Sequence, residues 1–500
     1  MTMTTTPTTE VPFEKIRAAF ARGYQSQRQE LAYWIDEVEG TIPPDLHGTF
    51  FRNGPGLLDV NGQRLHHPID GDGMIFSMAF ANGRAFVRNR FVRTKGFLEE
   101  QEAGKILYRS PFGTQKPGGM LANIFDLRLK NLANTSVTYW GGKLLALWEG
   151  GEPHRLDPYT LETLGLDDLG GILSPGKEFA AHYRIDPDVA GEPHLVNFGS
   201  QMKLGIGFQE DATIITIYEF DQAGKVLKRH AYRIPGFSVL HDMAITPNHC
   251  IFFQTPLDYN AVPYVLGIQS IVQSFRLNPS RPTRIVVLPR DAEGPVNIYD
   301  AKSGFIFHLA NAFEDGTKLC VDAVSYADFP QIEPGENFLD LDYRRFPAGE
   351  LWRYTIDTNT GTVDRTFLYP GTCDFPTLHP QNQGRPYRYV YLVAAPPGKT
   401  RWVVQTITKL DLATGATDVW NAAPYGFPSE ALFVPRPDGV AEDDGWLLSL
   451  VYDGEQHRSS VVILDARDLA QGPIAQLHMK HHLPHGFHGC FVPDYFGPEA

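Results

Sequence analysis

Cysteine is scarce: Cys250, Cys320, Cys373 and Cys490 are the only four in 500 residues, and no two form a C-x-x-C pair. That excludes a disulfide scaffold and argues against a zinc-thiolate site. Reduced thiols fit a cytoplasmic chain. Long apolar runs are also missing, since none approaches the roughly 18 to 20 residues of a membrane span. The N-terminal MTMTTTPTTEVPF lacks the basic start and apolar stretch of a signal peptide; residues 1–12 read as a disordered tail. Excess positive charge is absent too. With 44 Lys and Arg against 58 Asp and Glu the net charge is −14, so no basic stripe tracks phosphates and nucleic acid is excluded as a partner. Helical periodicity is confined to two stretches, Phe13 to Phe20 and Gly118 to Asn134, the second inside an insertion over about 110–134.

What the chain has is turn chemistry, with 47 Gly and 38 Pro suited to many short strands. One pattern recurs: alternating apolar residues, an Asp or Asn, a turn, then a second strand. It is centred on Asn82, Asp157, Asp221, Asn278, Asp357, Asp411 and Asp465. Seven such hairpins predict an all-β chain, a seven-bladed β-propeller formed as one domain over 13–500, with helical and loop insertions capping one face. The competing architecture is a string of β-sandwich domains, but no segment has linker composition.

The chemistry lies one strand beyond the hairpins. His182, His241, His308 and His488 follow Asp157, Asp221, Asn278 and Asp465 at a similar distance, and Asp374 and Glu430 hold that phase in the two blades between. Thr135 is the corresponding residue of the remaining blade. Equivalent positions on the innermost strands of a propeller converge on its axis, so these residues are expected to meet. A lone histidine is more often a hydrogen-bonded core or surface residue than a ligand. Four in one phase read as a ring of neutral imidazoles suited to divalent iron, copper, zinc or nickel, with carboxylates to fix their tautomers. Four imidazoles leave an octahedral ion two open positions, which suits dioxygen chemistry on iron better than zinc hydrolysis. His66, His67, His481, His482 and His485 are also clustered, but in HHLPHGFHG only His488 keeps the phase, and its neighbours there read as solvated. Asp242, next to His241, has two readings, a group supporting the ligand or a turn residue, and the turn is favoured.

The segments FRNGPGLLDVNGQRLHHPIDGDGM, AAHYRIDPD, HDMAITPN, FHLANAFED and GFHG resemble, in order, the signature segments of the carotenoid cleavage oxygenase family, and the resemblance runs from about Tyr24 to the C-terminus. It implies a propeller holding Fe(2+) on His182, His241, His308 and His488. It implies dioxygen-dependent cleavage of the central 15,15′ double bond of an apocarotenal, giving retinal and a second aldehyde. The family's three glutamates behind the ligands correspond to Glu149, Asp374 and Glu430. The middle one is shortened to Asp, so its hydrogen bond to a ligand is expected to be direct but shifted, or bridged by water. Thr135 matches a threonine whose methyl faces an open metal position.

A polyene needs flat apolar walls. Trp148, Phe307 and Tyr326 flank site residues, and with Tyr24 they line the tunnel by resemblance. Ordinary propeller packing is their bland reading. Ile69 and Val239 stand where aromatics are expected, which bears on substrate length. Phe112, Met120, Leu121, Ile124 and Phe125, near Lys116, Arg128 and Lys130, are candidates for a patch dipping into one leaflet, making the protein a peripheral membrane contact; packing on the propeller is the alternative. Rival functions are a metal-dependent propeller hydrolase, which prefers oxygen ligands, a non-enzymatic scaffold, and, within the family, stilbene cleavage or retinoid isomerisation.

Overall fold

The computed structural model describes residues 11–203 and 210–499; residues 1–10, most of the expected tail, lie outside them. Among the described residues the strands form seven sheets of four or more strands and two small ribbons. Each sheet is a blade whose innermost strand lies on the axis. In chain order the inner strands include Ser136–Trp140, Arg184–Val189, Ala244–Ile245, Phe305–Asp315 and Cys373–Thr377. In the seventh blade Gly426–Pro428 and Leu432–Pro435 share this place, both pairing with Gly445–Asp453.

The ring closes through its ends. Gly489–Val492, near the C-terminus, is the innermost strand of the first blade and pairs with Gly48–Leu57. At the rim Leu31–Trp34 completes the first blade against Arg84–Phe91, and Glu37–Gly40 completes the seventh against Pro473–His478. Both termini thus staple the blades that meet at the seam.

The core explains why no blade stands alone. The apolar clusters lie between blades: one joins Phe50 and Met78 of the first to Leu448 and Ile463 of the seventh. Another joins Phe198 of the third to Phe252 of the fourth, and similar clusters fill the other five interfaces. A blade is apolar on both faces and buries each only when a neighbour is present.

Six of the seven expected hairpins are the outer hairpins of blades. Asn82 (φ 53°) and Gly83 (φ 68°) form the two-residue turn that needs positive φ at both positions. Asp357 marks its turn by accepting hydrogen bonds from the backbone N–H groups of Asn359 and Thr360. Asn278 is the exception. It joins Phe275–Leu277, which belongs to a ribbon with Leu257–Tyr259, to Thr283–Pro289 of the fourth blade. The turn chemistry is genuine, but the strand before it has left the sheet.

The first helix forms as expected, Phe13–Arg22, with Ile16 and Ala19 packed towards Phe427 and Tyr452. The second is only Gly119–Asn123. Phe125 adopts φ 57° and donates its N–H to Val265 O. Beyond it the chain is pulled inward, where Lys130 Nζ meets Asp72 Oδ1 and Glu100 Oε2, each at 2.6 Å. A helix over 118–134 cannot satisfy those anchors, so its apolar spacing is overridden by a buried ion pair. Glu100 belongs to a helix that periodicity did not reveal, Lys95–Ala103, capped by Thr94 Oγ1 accepting from Phe97 N.

Replacing Lys130 with Met leaves two buried carboxylates without their cation, and is expected to destabilise the fold by about 3–5 kcal/mol. A denaturant midpoint unchanged from wild type would show the triad to be dispensable.

Candidate metal centre

Strand direction sorts the site residues onto one end of the axis. Every inner strand runs the same way, and His182 and His241 stand just before theirs, while His308 and Asp374 lie near the starts of theirs. Second strands run back, so residues at their ends return to the ligand level. Glu149 follows Lys143–Leu147 in this way, and Tyr326 ends Lys318–Tyr326, paired with Phe305. The links at this end are the long ones, including 58–71, 92–135, 255–282 and 327–349.

The four expected histidines meet, with one ring nitrogen of each lying within 4.8 Å of the others. His182 Nε2 is 2.9 Å from His241 Nε2, which is 3.3 Å from His308 Nε2. Two nitrogens about 2.1 Å from one ion and at right angles to each other lie about 3 Å apart, so the donor set fits a single transition-metal ion. Burial together with the three neighbouring imidazoles pushes His182 well below the ordinary histidine pKa, keeping its lone pair free.

Behind the ring stand the carboxylates. His241 Nδ1 donates to Glu149, His308 Nδ1 to Asp374 Oδ1 at 2.6 Å, and His488 Nδ1 to Glu430 Oε1 at 2.8 Å. Each bond puts the proton on Nδ1 and leaves Nε2 aimed inward. The shortened Asp374 therefore reaches its histidine directly. Its other oxygen accepts the Tyr326 hydroxyl, and its Oδ1 also takes the Phe375 N–H at 2.8 Å. Phe375, next in the chain, adopts φ 50°.

His182 has no such carboxylate, since Asp242 Oδ1 is 3.8 Å from its Nδ1. Asp242 is not the turn residue the sequence suggested. It is buried, holds Arg184 Nη2 at 2.8 and 2.7 Å, and accepts the N–H groups of Met243 and Leu309. It therefore ties the third, fourth and fifth blades together beside the ligands. Two further residues escaped the sequence reading. Phe375 lays its ring 5.2 Å from both His308 and His488; a non-glycine residue at positive φ carries no sequence signal. Arg52, 1 % exposed, sits 3.7 Å from Glu430 Oε2. It lies in the FRNGP segment, outside the repeat phase.

Thr135 is adjacent, its carbonyl accepting the His488 N–H at 3.2 Å. Phe307 stacks on His241 at 4.0 Å. Trp148 is buried, and its ring lies so close to Gly150 that a Cβ there would come within 2.7 Å of it. Tyr24 contacts Phe338 at 4.9 Å beside a hollow of about 560 Å³. Ile69 is half-buried and its carbonyl accepts from Asn134 Nδ2, whereas Val239 is 36 % exposed. The other clustered histidines are not solvated neighbours. His485 Nε2 meets Phe20 O, His482 Nε2 meets Gln25 O, and His481 Nδ1 meets Tyr33 OH, so they bind the N-terminal segment to the ring. His67 is likewise enclosed, between Phe112 and Phe338, and His66 Nε2 meets the Gln273 amide at 3.1 Å.

A family model described as retinal pigment epithelial membrane protein matches residues 24–493. The chain is 46% identical over 496 residues to the apocarotenoid-15,15′-oxygenase of Synechocystis sp., covering 98% of this chain and 100% of that one. The chain belongs to the carotenoid oxygenase family. More distant relatives in this family include the isoeugenol monooxygenase of Pseudomonas nitroreducens, 31% identical over 91% of this chain and 94% of that one. The lignostilbene-α,β-dioxygenase isozyme III of Sphingomonas paucimobilis is also 31% identical, over 91% and 92%. Cobalt-substituted Synechocystis apocarotenoid oxygenase superposes with TM-score 0.92 at 46% identity, over 95% of this chain and 98% of that one. The chain is an enzyme of the carotenoid-cleaving class within this family of metal-dependent oxygenases.

Asp374→Ala removes the partner of His308 and is expected to weaken metal binding by about 10–100-fold. Chelator competition measures it, and an unchanged affinity would deny Asp374 its supporting role.

Proposed function

We propose that this chain is a non-heme Fe(2+) oxygenase that cleaves the 15,15′ double bond of apocarotenals to retinal and a second aldehyde. The observation that carries the proposal is the convergence of His182, His241, His308 and His488, backed by Glu149, Asp374 and Glu430, in a chain 46% identical to an apocarotenoid-15,15′-oxygenase. A donor set of imidazoles without oxygen ligands disfavours the calcium-type hydrolase. Fe(2+) bound there supplies dioxygen activation.

The protein's own task is position. Carboxylates accept the Nδ1 protons of three imidazoles, so those rings keep Nε2 facing inward. Phe307, Trp148 and Tyr24 offer flat apolar surface that orients a rigid polyene and excludes water beside the ring. No side chain need act as nucleophile or acid, because one C=C is replaced by two C=O groups. The aliphatic residues Ile69 and Val239 make the tunnel wider than aromatic side chains would.

Access from a membrane is the second part of the proposal. Leu121 (84 %), Phe125 (73 %), Met120 and Leu127 are exposed on the 92–135 link, with Val262 and Ile268 exposed on the 255–282 link. Phe112 and Ile124 are half-buried, and Lys130 is turned inward to its ion pair. The patch therefore relies on apolar area, with Arg128 and Lys116 both held by Asp126. Among the described residues no helix is long and apolar enough to cross a membrane.

His241→Ala is expected to lose both bound iron and aldehyde formation from an apocarotenal; retained turnover without iron would end the proposal. A hydroxystilbene offered in parallel should be cleaved far more slowly, and the reverse preference would move the substrate to the stilbenes. Leu121→Glu with Phe125→Glu should abolish co-sedimentation with lipid vesicles while leaving the turnover of detergent-dispersed substrate intact. Undiminished vesicle binding would exclude the patch.

A further inference from the structure

The ligand ring has a second side. Substrate-facing groups lie at the start of the inner strands, whereas a separate cavity of about 280 Å³ is lined by residues that follow the ligands along those strands. Tyr183 and Arg184 follow His182, Ala310 follows His308, Pro376 to Leu378 follow Asp374, and Cys490 and Phe491 follow His488. The cavity therefore occupies the opposite half of the propeller axis, on the face of the short turns. His182, His488 and Glu430 form its base, and the exposed Pro380 and Pro435 stand among its lining residues. At about 30 Å³ of liquid volume each, several waters fit.

We propose that this axial cavity is the passage by which the metal ion enters and leaves the four-histidine ring. The inference rests on the metal-centre reading above and extends it to a path. A dication sheds its water reluctantly and is costly to move through apolar surroundings. The substrate side confronts it with the Phe307 ring stacked on His241 and with buried Trp148. The axial side instead offers polar groups at its base, two ligand imidazoles and the Glu430 carboxylate, which accepts from His488 Nδ1 and the Gly489 N–H and faces Arg52 at 3.7 Å. Its one wall cation, Arg184, is already neutralised by Asp242 at 2.7 Å. The Gln383 amide, on the link between Thr377 and Tyr389, adds a polar group, donating to Asn311 Oδ1 at 3.1 Å. An ion can therefore exchange without disturbing a polyene in the tunnel.

Protein loaded with Co²⁺ is mixed with excess chelator, and release is followed by counting the metal left on the protein. Leu378→Trp, which narrows the cavity, is expected to slow release and reloading each by about tenfold with the dissociation constant unchanged. Where that variant does not fold, Gln383 serves: Gln383→Arg should slow exchange and Gln383→Glu quicken it, both effects shrinking in salt. An apocarotenal bound beforehand should leave release unaltered. Variants that exchange at the wild-type rate, or release slowed by the bound apocarotenal, would overturn the route. Wild-type protein that holds no ion at all would instead remove the metal centre on which it rests.

Discussion

Closure of the ring is the constraint on which everything else depends. A histidine 59 residues from its neighbour in sequence comes within 2.9 Å of it only because each blade must bury both faces against adjoining blades. That requirement is met all the way round only when the seam is shut. Gly489–Val492 shuts it, and His488 immediately precedes that strand. The last ligand is thus placed by the same segment that completes the fold, so local fraying of the C-terminus and loss of the fourth imidazole are one physical event.

Within the ring the ligands are held unequally. Three imidazoles donate an Nδ1–H hydrogen bond to a carboxylate, whereas His182 is oriented by packing in the crowd of its neighbours. The carboxylate nearest to it, Asp242, spends its lone pairs on Arg184 and two backbone N–H groups instead. The geometry that braces three blades thus leaves Asp242 Oδ1 3.8 Å from His182 Nδ1, beyond hydrogen-bond reach.

Much of this was legible in the sequence, for identifiable reasons. Asp357 reads as a hairpin marker because its side chain itself makes the turn, and the ligand set reads from a repeat phase that a propeller must respect. The Asn278 marker misled because the same turn chemistry serves a link that leaves the sheet. The insertion misled because apolar spacing over 118–134 reports burial without saying against what, and Lys130 decides the path by an ion pair with Asp72 and Glu100 that no local pattern encodes. Phe375 at positive φ and Asp242 as a brace are invisible for a related reason: both depend on what surrounds them in space, whereas identity and spacing look unremarkable.

The alternation of turn lengths divides the labour between the two ends of the axis. Inner strands begin at the end with the longest links, which carries insertions such as 92–135 and 255–282 without opening a sheet, and apolar cover for a polyene is built there. The other end is made mostly of tight hairpins such as Asn82–Gly83, with longer links at 378–388 and 436–444. The hollow on that side is lined by inner-strand residues together with Leu378, Pro380 and Gln383 of the first of those links. The chemistry suited to each end then differs, with an apolar, water-excluding surface above the ligands and a polar approach beneath them.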